Sequence, residues 1–191
     1  MNYPKLTDLE TDHPQVLMAV EAIREWQARK RAGETGISMI LAGPNGIGKT
    51  HMATAMQWSM MFRPEDTMAW EDEATVPLDS DFRPLGRFYT AADLLVQLGP
   101  HISDDGRVLP SPVDYFVGDA PIIVIDDLGA AISMPFVKGD MQLDEIQVRL
   151  FLLIEHCMKR TKIVRDWHVG TSDVVPDPPS LVITTNKDIG G

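Results

Sequence analysis

Eight consecutive residues, Gly43-Pro44-Asn45-Gly46-Ile47-Gly48-Lys49-Thr50, constrain this chain more than any other feature. They satisfy G-x-x-x-x-G-K-[ST] at every defined position. The glycines permit backbone angles that side chains resist, so successive N–H groups can turn inward as an anion-binding nest. Lys49 supplies a point charge for the outer phosphates of a nucleotide, and the Thr50 hydroxyl is placed to ligate magnesium. The flanking sequence is what this mechanism needs. Ile37 to Ala42 reads as a short buried strand, and Thr50 to Phe62 as a helix with Met52, Ala53, Met56 and Met60 inward. The positive end of that helix would meet the phosphates. Residues 43–50, together with His51 in the first helical turn, are therefore the candidate contacts for ATP or ADP with Mg2+.

A second element is Ile122-Ile123-Val124-Ile125-Asp126-Asp127. Two carboxylates after four branched apolar residues are costly in a core unless a cation or hydrogen bonds compensate them. At the carboxyl end of a strand they fall where open α/β sheets bind ligands. Asp126 is the candidate metal-side carboxylate, acting directly or through water, and Asp127 the candidate to polarise an attacking water. A third element, Leu181-Val182-Ile183-Thr184-Thr185-Asn186, brings an amide to the same sheet edge. An Asn at a strand end is ordinarily a turn former. In this order with the other two elements, Asn186 reads as a sensor of the γ-phosphate or the lytic water.

Between these motifs, helical and strand patterns alternate. His13-Pro14 opens an amphipathic helix with Val16, Leu17, Val20, Ile23 and Trp26 on one face, fading at Ala32-Gly33. Gly86 to Tyr89 reads as a strand, and Thr90 as the cap of a helix reaching Leu98. Gln142 to Lys159 reads as a long helix with Ile146, Leu150, Leu153, Ile154 and Cys157 inward, followed by a polar connector that is Pro-rich over Val169 to Pro179. Residues 63–84 break the pattern with prolines and acidic residues such as Glu71, Asp72 and Glu73, and read as an exposed excursion or an acidic docking surface. The fold class predicted is α/β: a P-loop NTPase of three α/β/α layers with a mainly parallel sheet. One domain spans 1–191, with an N-terminal helix region at 1–33.

The net charge of −11 argues against an autonomous nucleic-acid binder, because such affinity comes largely from Lys and Arg on phosphates. The run Arg29-Lys30-Arg31 ends a helix, where cations suit the carbonyl end. No apolar stretch approaches the ~20 residues of a membrane span, and no signal peptide is evident at the N-terminus. The single cysteine, Cys157, excludes an intrachain disulfide and reads as a small core residue, so the expected compartment is the cytoplasm.

Taken together, GPNGIGKTHMATAM, RFYTAADLL, IIVIDDLG and LVITTN resemble an AAA+ ATPase of the DnaC/DnaI helicase-loader group, with the transposition helper IstB as a relative. The resemblance implies a sheet with the phosphate-loop strand between the sensor strand and a further strand. It also implies an ATP-dependent homo-oligomer able to grip single-stranded DNA, and a replicative helicase or other DNA-processing protein as partner. Lys49, Asp127 and Asn186 carry over as catalytic positions, and Thr50 and Asp126 as metal positions. The family's fifth strand, arginine finger and helical lid would follow Asn186, so the expectation is a chain trimmed after the sensor strand, with weak ATPase activity when it lacks lid and neighbour. Asp127 stands where AAA+ proteins more generally carry Glu.

Three functions compete at this stage. One is a helicase-loader-like ATPase in DNA replication, or the related transposition helper. Another is an adaptor that binds ATP without turning it over. The third, a P-loop kinase, would need an arginine-rich lid that the sequence does not display.

Overall fold

The computed structural model describes residues 4–9, 12–59, 86–98, 101–102, 108–109, 116–118, 120–129, 143–166 and 171–186. The excursion at 63–84, Met60 and the side chain of Ile146 lie outside them. Four strands build the central sheet: β1 (Met39–Ala42), β2 (Arg87–Thr90), β5 (Ile122–Asp126) and β8 (Ser180–Thr185). Their order is β1-β8-β5-β2, and each neighbouring pair is parallel. Helix α1 (Pro14–Arg31) precedes β1, and the crossovers run through α2 (Lys49–Ser59), α3 (Ala91–Gln97) and α4 (Leu143–Lys159). The predicted three-layer architecture is the observed one.

β5 shows why its sequence is a continuous branched apolar run. All five of its residues are buried. Ile123 and Ile125 pack with Leu94, Leu95, Leu153 and Cys157 on one side of the sheet. Ile122 and Val124 pack with Val20, Ile23, Met52 and Met56 on the other. Side chains alternate across a strand, so a sheet covered on both faces needs apolar residues at odd and even positions alike. Each such burial is worth roughly 1.5–3 kcal/mol, and a charge at Val124 would break the layer.

The helices start and anchor where their sequences say. α1 has Pro14 at its first position and buries Val16, Val20, Ile23 and Trp26. Trp26 Nε1 donates to the Ile37 carbonyl at 2.7 Å, fixing the helix to the approach of β1. Thr90 caps α3 by accepting from the Asp93 N–H at 3.2 Å.

Several expectations need correction. Leu17, expected on the inward face of α1, is exposed, because it lies off the stripe drawn by Val16, Val20 and Ile23. Ile154 of α4 is likewise exposed, standing about 100° round the helix from the buried Leu153. β1, expected to be buried, pairs with β8 alone among the described residues. It buries only Leu41 and leaves Ile40 56% exposed. Part of the expected connector is an antiparallel hairpin, β6 (Thr161–Asp166) with β7 (Thr171–Pro176), where Ile163 faces Val174. A two-residue pair, β3 (His101–Ile102) with β4 (Val108–Leu109), completes the strands.

Candidate functional site

The loop from β1 to α2 folds around glycines in the left-handed region, with φ of 86° at Gly46 and 88° at Gly48. Gly48 is constrained twice, since a Cβ there would lie 2.7 Å from Leu9 Cδ2. Only glycine meets both demands without strain. Lys49 opens α2 and is buried; its Nζ donates to the carbonyls of Gly43 at 2.9 Å and Pro44 at 2.8 Å. Among the described residues no carboxylate pairs with it. A buried cation without a counter-charge is expensive, and this one faces the loop that is shaped for an anion.

The carboxylates stand at the end of β5. Asp126 is 8% exposed, and both its oxygens accept from Thr50 Oγ1 at 3.0 Å. Its Oδ1 also accepts from Thr184 Oγ1 at 2.5 Å. Hydroxyls surround it, and among the described residues no cation does. Asp127 turns sharply, with φ of 57°, the sole positive value for a non-glycine among the described residues. Its N–H donates to Thr184 Oγ1 at 2.8 Å, and its Oδ1 accepts from Asn186 Nδ2 at 3.0 Å. Asp is among the few side chains that tolerate this backbone region.

The residues present suit a magnesium nucleotide. Among the described residues no group of three or more His, Cys, Asp or Glu converges as a metal cage. Magnesium usually takes only one or two protein carboxylates and completes its shell with phosphates and water. Asp126 with Thr50 offers that set, and Lys49 with the glycine loop offers the anion side.

No protein-family model and no curated protein matches the chain. Solved structures do match. The chain resembles the DnaC helicase loader with a TM-score of 0.56 at 19% identity, over 97% of this chain and 78% of that one. DnaI gives 0.54 at 15% identity, over 96% and 72%. AMPPCP-bound DnaA from Aquifex aeolicus gives 0.53 at 12% identity, over 98% and 43%. The chain therefore shares the fold of these structures.

The other expected contacts divide. Pro44 and Asn45 are exposed at the loop's tip, and Ile47 folds back over Gly43. His51 turns away from the loop: its Nε2 lies 2.7 Å from the Lys5 carbonyl, so that nitrogen donates there and ties residues 4–9 to α2. A groove of 610 Å³ runs between α1 and the open side of β1 down to Lys49 and Asn186, lined by Met18, Ala19, Ile40 and Ala42 among others. His13 and Pro14, at the start of α1, do not line it. Thr184 was passed over in favour of Asn186, although both sit on one alternation at the same strand end. That alternation was the available signal.

Proposed function

We propose that this chain binds ATP with magnesium at the β1–α2 loop and hydrolyses it, as a helicase-loader-like switch in DNA replication. The observation that carries the nucleotide half is the pair of buried charged groups, Lys49 and Asp126, which have hydrogen-bond partners but no ion pair among the described residues, beside a glycine loop of positive φ. In this reading, backbone N–H groups of residues 46–50 and the Lys49 ammonium hold the phosphates. Thr50 keeps its proton on Asp126 while offering a lone pair to the metal. Magnesium, when bound, spreads the charge of the transferring phosphoryl group. Asp127 orients the attacking water, and Asn186 holds the Asp127 carboxylate in place. The groove beside α1 offers the base an apolar wall.

The loader half is supported by the fold shared with a structure described as a helicase loader. It is also supported by the net charge of −11, which suits a protein that reaches DNA through an assembly rather than alone. Phosphoryl transfer gains greatly from an arginine supplied by a neighbour, so turnover should rise with protein concentration. The test is ATP turnover with and without single-stranded DNA over a range of chain concentration. Turnover indifferent to both would contradict the assembled loader, and ATP binding without turnover would leave an adaptor.

A further inference from the structure

We propose that Thr184 is the positioning residue of this site: a single hydroxyl that aims both the metal-side and the water-side carboxylate. The inference rests on the Mg-ATP reading above. A threonine hydroxyl has one proton to give and lone pairs to accept with. At Thr184 the proton goes to Asp126 Oδ1 at 2.5 Å, and a lone pair takes the Asp127 N–H at 2.8 Å. The residue is 1% exposed, so solvent does not compete for either bond.

Two consequences follow from this geometry. Asp126 Oδ1 is engaged by Thr184 and Thr50 together, whereas among the described residues Oδ2 accepts from Thr50 alone. Oδ2 is therefore the oxygen left with free lone pairs for the metal or its water. The bond to the Asp127 N–H, in turn, holds that residue in its left-handed turn, which delivers its carboxylate to Asn186. Rotating the one hydroxyl would disturb both carboxylates at once. Both bonds are anchored in β8, which lies between β1 and β5 and joins the loop strand to the carboxylate strand.

The experiment is a comparison of ATP affinity in Mg2+ and in EDTA for the native chain, Thr184→Val and Thr184→Ser. A residue that only maintains the fold would weaken both affinities together. The positioning role predicts that Thr184→Val keeps the EDTA affinity and loses about 10- to 100-fold of the gain due to Mg2+, the usual cost of removing a group that orients a metal ligand. Thr184→Ser should restore that gain. If Thr184→Val does not fold, Thr184→Cys, a weak donor, replaces it and should show the same selective loss. A native Mg2+ gain in the folded Val or Cys variant would overturn the role of Thr184 while leaving the nucleotide site intact. A native chain that binds no ATP, or binds it without regard to Mg2+, would overturn the underlying reading and this inference with it.

Discussion

The Thr50 hydroxyl donates to both carboxylate oxygens of Asp126 at 3.0 Å, joining residues 76 apart in sequence. This contact closes the loop of β1 onto the end of β5, and it makes the two residues one unit rather than two independent ligands. A double-mutant cycle should show it. Thr50→Val and Asp126→Asn should each weaken Mg-ATP binding, and the double variant should lose less than the sum, with a coupling of about 0.5–3 kcal/mol. Additivity would mean that the two side chains do not act on the same ion.

Asp127 separates binding from hydrolysis. Asn also tolerates the left-handed backbone that Asp127 adopts. Asp127→Asn should therefore unfold within about 1 kcal/mol of the native chain. It should still bind Mg-ATP, and its turnover should fall by about 100-fold or more, as expected on losing a general base. Calorimetry and a phosphate-release assay check the two halves. Asp127→Val, a branched residue forced to the same φ, should instead cost about 1–2 kcal/mol of stability.

Arg160, just past the end of α4, is an internal staple. It donates to the carbonyls of Gly118 at 3.2 Å, Ala120 at 2.6 Å and Asp177 at 2.6 Å, and it pairs with the Asp177 carboxylate at 3.3 Å. The end of α4, the approach to β5 and the approach to β8 are thereby tied together. Arg160→Ala should cost about 2–3 kcal/mol in urea unfolding, because several acceptors and one carboxylate lose a charged donor. Arg160→Lys should recover little, since an ammonium cannot span that fork.

Burial pushes the Cys157 thiol up from an ordinary 9 to about 11. The folded chain then holds this proton more tightly than the unfolded one. The resulting stability is fully present below pH 9 and is lost as pH rises from 9 to 11. Cys157→Ala should remove that part of the alkaline slope. At pH 8 the thiol of the folded chain should resist alkylation and react once urea exposes it.

The parts of this molecule that were legible in the sequence are those whose chemistry is local. Gly43 to Thr50 carry a phosphate loop in their own backbone demands, and Ile122 to Ile125 announce burial on both faces. β1 was misjudged because an apolar run such as Ile37 to Ala42 reads alike at the centre of a sheet and at its edge; only the neighbours differ. The β6–β7 hairpin escaped because Ile163, Val164 and Val174 stay exposed and give no core-facing alternation. Ile154 and Leu17 show the narrower lesson that a helix stripe admits its neighbours by size but excludes them by angle. For Thr184 the strand alternation gives only the side of the sheet: its two bonds reach residues 58 and 57 positions away, and alternation does not name those partners.

The central claim is that the Lys49 ammonium, the glycine loop, Thr50 and Asp126 converge on one magnesium nucleotide. Isothermal titration of Mg-ATP into the native chain and into Lys49→Ala tests it most directly. The account predicts saturable one-site binding to the native chain and loss of that binding in a variant that remains folded by circular dichroism. Equal binding by both chains, or none by the folded native chain, would contradict it.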